Sequence, residues 1–136
     1  LTQMKTFEAG TCEQTCRILI AEDEAVVALD LQLMFEDLGA RVIGPCATVR
    51  GALAEAQREM PTAAVLDVML ADGEVYELAD LLYAAGVTIL FHSGHADARE
   101  LLQRYPEARL CPKPAIPSDL ESKLDDIVRP QQPPGA

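Results

Sequence analysis

Five times along this chain, a short apolar run gives way to a longer segment in which apolar residues recur every three or four positions. That rhythm restricts the fold more than any other feature. Short β-branched and aliphatic runs read as strands, and the spaced stripes read as amphipathic helices. Arg17–Ala21 is the first strand, followed by a helical stripe of Val27, Leu31, Met34 and Leu38 that Gly39 closes. Arg41–Ile43 is the second strand, ended by Gly44-Pro45. Thr48 then caps a helix carrying Val49, Leu53, Ala56 and Met60, which Pro61 stops. Ala63–Leu66 is the third strand. It leads through the turn pair Asp72-Gly73 to a helix with Val75, Ala79 and Leu82, stopped by Gly86. Val87–Phe91 is the fourth strand, with a helix near Asp97 to Tyr105. Ala108–Cys111 is the fifth, and the last helix starts near Pro117-Ser118 and carries Leu120, Leu124 and Ile127.

Strands alternating with helices in this way predict an α/β fold, (βα)5, with a five-stranded parallel sheet and helices on both faces. Right-handed crossovers make it doubly wound. The strands are nearly continuous in apolar residues, as strands buried on both sides are. The frame occupies residues 17–128 of 136, about one domain by length. Residues 1–16 read as a flexible leader and 129–136 as a Pro-rich tail. With no Trp, three Phe and three Tyr, the core is expected to be aliphatic.

Charge and composition remove several function classes. Lys and Arg number 11 against 22 Asp and Glu, a net charge of −11, which opposes the phosphate contacts a nucleic-acid partner needs. No apolar run approaches a membrane span, and no apolar signal core follows the N-terminus, so the expectation is a cytoplasmic chain with no membrane partner. Cys12, Cys16, Cys46 and Cys111 are too scattered for a disulfide scaffold, and Cys12 and Cys16 lack the companions of a zinc set. Reduced thiols are expected.

In a sheet of this kind, ligands bind beyond the carboxyl ends of the strands. Strand one ends in Glu22 and Asp23, strand three in Asp67, strand four in Ser93 and strand five in Lys113. Each has an ordinary structural use: a helix cap, a turn, a solvated charge. Their convergence on one edge is a different matter. Packed carboxylates repel unless a cation sits among them, and Mg2+, with its preference for oxygen ligands and phosphate, suits that role. Such a site points to phosphoryl transfer, in which positioning and charge neutralisation carry the catalysis.

These residues resemble the receiver domain of two-component response regulators, with its flavodoxin-like receiver fold. The matching pieces are Glu22-Asp23 after strand one, Asp67 after strand three, Ser93 after strand four and Lys113-Pro114 after strand five. The resemblance implies that Asp67 is the phosphoacceptor, served by a sensor histidine kinase. Asp23, Asp67 and the backbone carbonyl of Met69 would ligate Mg2+, with Glu22 acting through metal-bound water. Ser93 and Lys113 would contact the phosphoryl group, and the bond before Pro114 would be cis. Met69 and His95 would flank the phosphoryl group and modulate its hydrolysis, although His95 reads more readily as a solvated residue at a helix entry. The family's strand-five aromatic is Leu110 here, and its Pro four residues after the phosphoacceptor is Ala71, which implies a freer loop. Phe91-His-Ser-Gly94 is similar to the Phe-x-Thr-Gly signature of the FAT GUY subgroup, which is associated with HWE-type kinases.

The implied role is a single-domain response regulator that switches protein–protein interactions or passes its phosphoryl group to a phosphotransfer protein. Its only chemistry would be self-phosphorylation and self-dephosphorylation. A homodimer would use the face of helix four, strand five and helix five. Taken as complete, the chain has no room for a separate output domain. Other readings fare less well. A phosphatase with an Asp nucleophile wants a general acid two residues on, where Met69 stands. A nucleotide-binding module wants a Gly-rich loop where Glu22-Asp-Glu24 stands. An inactive receiver-like interaction module would not need five chemically competent positions.

Overall fold

A computed structural model describes residues 16–94 and 96–129. One sheet holds five parallel strands, β1 (Arg17–Ala21), β2 (Arg41–Cys46), β3 (Ala63–Leu66), β4 (Thr88–Ser93) and β5 (Arg109–Pro112). Their spatial order is β2-β1-β3-β4-β5. The chain order reverses between β1 and β3, so a crevice opens at their carboxyl ends. The helices are α1 (Ala25–Asp37), α2 (Val49–Arg58), α3 (Tyr76–Ala84), α4 (Ala98–Arg104) and α5 (Pro117–Val128).

Side-chain alternation sorts the sheet into two cores. Ile18, Ile20, Val65 and Leu90 face α1 and α5, where Leu31, Phe35, Leu120 and Leu124 cover them. Leu19, Ala64, Leu66, Ile89 and Phe91 face α2, α3 and α4, against Ala52, Leu78, Leu82 and Leu101. The doubly wound, five-stranded α/β architecture expected from the alternation is therefore the one observed.

Several local expectations need correction. On α1 the fully buried line is Ala28, Leu31 and Phe35, while Val27, Met34 and Leu38 pack at its margin. Leu31 is common to both lines, and the buried face leans toward the side that carries Ala28 and the fully buried Phe35 ring. Met60 lies beyond α2 and is exposed; its carbonyl accepts from the Arg17 guanidinium. The core is not purely aliphatic, since Phe35, Phe91 and Tyr105 are each at most 1% exposed. β2 continues through the cis Gly44-Pro45 bond to Cys46. Gly44 has φ 91°, and a Cβ there would stand 2.8 Å from the Cys46 nitrogen, so only glycine fits. β4 runs two residues further than expected, which places His92 and Ser93 in the strand. Met69–Leu70 and Gly73–Glu74 form a small antiparallel hairpin around the expected Asp72-Gly73 turn.

The loop carrying Ala71 is bonded to the start of α2. The Ala71 N–H donates to the Ala47 carbonyl at 3.1 Å, and Asp72 accepts from the N–H groups of Val49 and Arg50 at 2.7 and 3.1 Å. Those bonds hold the Asp72 carboxyl below its ordinary range. Thr48 accepts from the Gly51 N–H at 2.9 Å, as a helix cap should. Thr48→Ala is expected to cost about 1 kcal/mol in chemical denaturation.

An aromatic cluster joins α3, β4 and the end of α4. Tyr105 lies 5.4 Å, centroid to centroid, from both Tyr83 and Phe91. Its hydroxyl donates to Asp80 on α3 at 2.6 Å, and Arg104 pairs with the same carboxylate at 3.0 Å. Burial, then this hydrogen bond, pushes the Tyr105 phenol up. Tyr105→Phe keeps the ring and removes one half-buried bond, so a loss of about 1 kcal/mol is expected from thermal melts.

Cys46 and Cys111 are free thiols, as expected, and the Cys16 thiol donates to the Val128 carbonyl at 3.6 Å. Cys12, most of the leader, the tail from Pro130 and His95 lie outside the described residues. Among those described, no helix is long and apolar enough to cross a membrane.

Candidate functional site

Four strand ends and one helix start build the site. β1 ends at Ala21, which sends Glu22 into the crevice and Glu24 to the start of α1. β3 ends at Leu66 and delivers Asp67, whose N–H donates to the Ala21 carbonyl at 2.9 Å, one step beyond the ladder. β5 ends in Pro112, so Lys113 enters from the far side. The Lys113 N–H donates to the Ser93 carbonyl at 3.2 Å, tying that end to β4, and the Lys113-Pro114 bond is cis, as expected.

The Lys113 ammonium is the hub. Its Nζ lies 2.7 Å from Glu22 Oε1, 2.8 Å from Glu24 Oε1 and 2.9 Å from Asp67 Oδ2. The Lys113, Glu22 and Asp67 side chains are 14%, 2% and 8% exposed, whereas Glu24 is 63% exposed. The Met69 N–H donates to Asp67 Oδ1 at 3.3 Å, and the Glu24 N–H donates to Glu22 Oε2 at 3.0 Å.

These contacts divide the two buried carboxyls. Burial opposes the Asp67 charge, but the Lys113 ammonium, the Met69 N–H and the Ser93 hydroxyl together outweigh it and hold the carboxyl below its ordinary range. Burial prevails at Glu22 and pushes it up, against the pull of Lys113; the nearby Asp67 charge adds to the rise. Burial alone would lower Lys113, yet the carboxylates around it raise it. The residue disposed to stay ionised is therefore Asp67.

The five strand-end positions come together, with differences in role. Ser93 is a hydrogen-bond partner of Asp67. Asp23 is exposed and lines the same cavity as Asp67, Met69 and Lys113 rather than joining the ion pairs. Met69 is 44% exposed beside Asp67. Leu110 is half-buried on β5, opposite Phe91 of β4. Two residues escaped the sequence reading. Glu24 binds Lys113; its signal was the third acid in Glu22-Asp-Glu24, which a helix start explains equally well. His92 is buried at the end of β4, and nothing in one strand's sequence says which neighbour its side chain meets.

Glu22, Glu24 and Asp67 each offer an oxygen within 4.8 Å of the others. A compact, all-oxygen, anionic donor set fits a hard divalent cation such as Mg2+. The same geometry provides a nucleophilic carboxylate, a cation poised beside it, and a hydroxyl donor.

No protein-family model matches the chain. It is 30% identical over 131 residues to the phyllosphere-induced regulator PhyR of Methylorubrum extorquens, a match covering 92% of this chain and 49% of that protein. The chain thus spans about half the length of the curated relative it matches. Among solved structures it is similar to the response regulator PhyR from Brucella abortus, with TM-score 0.69 and 28% identity over 88% of this chain and 51% of that one. It also resembles a response regulator receiver domain protein (CheY-like) from Methanospirillum hungatei, with TM-score 0.73 and 25% identity over 85% and 94% of the two chains.

Proposed function

We propose that this chain, similar in sequence to PhyR and CheY-like in fold, is a response-regulator receiver domain that accepts a phosphoryl group from a sensor histidine kinase onto Asp67. It is a signalling domain rather than a classical enzyme. The observation that carries the reading is the 2.9 Å contact between Asp67 and Lys113, residues 46 apart in sequence that only the fold brings together.

An Asp67 oxygen attacks the phosphorus of the kinase phosphohistidine. The new O–P bond forms as the P–N bond breaks, and the electron pair leaves with the imidazole nitrogen. Asp23, Asp67 and the Met69 carbonyl are the residues proposed to hold Mg2+, with Glu22 through water; the ion supplies charge neutralisation for the transferring group. Ser93 donates to a phosphoryl oxygen, and Lys113 pairs with another. The phosphoryl group adds about −1.5 to −2 charge, drawing both residues toward it and shifting the ends of β4 and β5. A downstream protein partner reads that change. Val26, Leu29 and Leu33 on α1 and Ile116 in the β5–α5 loop are exposed apolar residues, the surface proposed for the kinase to meet. The proposed domain frame is 17–128, with Met69 and His95 as residues that tune hydrolysis. A place in the Phe-x-Thr-Gly subgroup with HWE-type kinases rests on Phe91-His-Ser-Gly94.

Incubation with MgCl2 and acetyl phosphate tests this by intact mass, with beryllofluoride as a hydrolysis-resistant substitute followed by amide NMR. One phosphoryl mass, or beryllofluoride shifts at Ser93 and Lys113, is expected. Neither appearing in the presence of Mg2+ would overturn the proposal.

A further inference from the structure

The phosphoryl chemistry above makes no use of His92. It is the next-to-last residue of β4, only 4% exposed, and among the described residues neither Nδ1 nor Nε2 has a hydrogen-bond partner. Buried polar atoms are rarely left this way, and an orphaned pair beside a reaction site calls for a reason. Alternation along β4 sends His92 to the face of Leu90, opposite Cys111 of β5 and toward α1 and α5. It lines a cavity of about 680 Å3 between α1 and the β5–α5 loop, together with Leu31, Leu120, Asp67 and Lys113. Burial, then the neighbouring Lys113 charge, pushes the imidazole down, so at neutral pH it is uncharged. A neutral imidazole offers one N–H and one lone pair.

Lys113 has a complementary problem. Its side chain is 14% exposed, and its ammonium is paired with Glu22, Glu24 and Asp67. A divalent cation held as proposed above competes with it for Asp67 directly and for Glu22 through water. A displaced, half-desolvated ammonium is costly unless another acceptor is at hand, and the uncharged imidazole in the same cavity is a neutral one.

We propose that His92 is a positioning residue for phosphoryl transfer, whose lone-pair nitrogen receives an N–H of Lys113 when the cation draws the carboxylates away. Lys113 is thereby kept at the crevice, ready for the phosphoryl group. This inference rests on the receiver reading above and adds to it a residue that reading does not require.

The test is a MgCl2 titration of the full chain labelled with 15N, following amide and imidazole signals, on wild type, His92→Leu and His92→Gln. One His92 ring nitrogen should shift toward the hydrogen-bonded acceptor position as Mg2+ binds. Mg2+ affinity should fall about tenfold in H92L, the loss of one bond to a charged group. It should stay within about threefold in H92Q, whose amide oxygen remains an acceptor. Without Mg2+, H92L should melt no lower than wild type, because it removes two unpaired buried atoms. Ring nitrogens that do not move, or H92L binding Mg2+ like wild type, would overturn the inference alone. So would loss of stability in H92L with no rescue of affinity by Gln. A wild type that binds no Mg2+ would overturn the receiver reading itself, and the inference with it.

Discussion

Asp67→Asn is expected to gain no phosphoryl mass from acetyl phosphate under conditions that label the wild type completely. The amide that replaces the carboxylate is neutral and non-nucleophilic, so the O–P bond cannot form. The fold should survive the change. Lys113 keeps Glu22 at 2.7 Å and Glu24 at 2.8 Å, and the Asn side chain fills the same space. Glu22 also loses a repulsive neighbour, since the Asp67 charge is among the causes that push it up. Circular dichroism and thermal melts on the same sample separate the two effects. Equal labelling of wild type and Asp67→Asn would place the phosphoacceptor elsewhere.

Lys113→Met should produce the largest loss of stability of any single change at the site, about 3 kcal/mol near neutral pH. Most of that loss comes from Glu22 and Asp67, whose side chains are 2% and 8% exposed and would be left as uncompensated buried charges. Glu24, 63% exposed, contributes little because water solvates it once its partner is gone. The pH dependence follows from the shifts. In the wild type, Lys113 holds Asp67 below its ordinary range, so that stabilisation is present above the unfolded-state pKa and is lost as pH falls through the folded one. Without Lys113, burial pushes both carboxyls up, so the variant is penalised as pH rises through their raised values. The gap between variant and wild type should therefore be widest at neutral pH and shrink on acidification through the carboxylate range. Urea titrations at a series of pH values measure it; a gap independent of pH would contradict the assigned ion pairs. Mg2+ should raise the melting temperature of Lys113→Met more than that of wild type, because no ammonium competes for the carboxylates.

How far the chain could be read in advance depended on the range of the interaction. α5 was legible down to Leu120, Leu124 and Ile127, because an amphipathic stripe reports its own buried face. α1 was legible as a helix but misread in rotation, since Val27 and Phe35 are both apolar and only the opposing sheet chooses between them. The missing strand-five aromatic was visible at Leu110, but its surroundings were not. Phe91 stands opposite it on β4, and Tyr105 reaches the same cluster from the end of α4. Asp67 and Lys113 stood out because charges at the ends of apolar strands are few. Glu24 did not, because an acid at a helix start has a sufficient local explanation.

The sequence by itself determined the alternation of strands and helices, the edge at which the chemistry collects and the residue types that collect there. Those are local properties: periodicity, caps, turn residues and the ends of apolar runs. Only the tertiary structure decided that one ammonium serves Glu22, Glu24 and Asp67 at once. It also decided that Asp67 is favoured as a charged group while Glu22 is not, and that an imidazole with no partner among the described residues lines the same cavity. Such facts depend on distances between side chains carried by different strands and on how much water is left between them. Neither quantity exists until the sheet is assembled and the crossovers have closed over it.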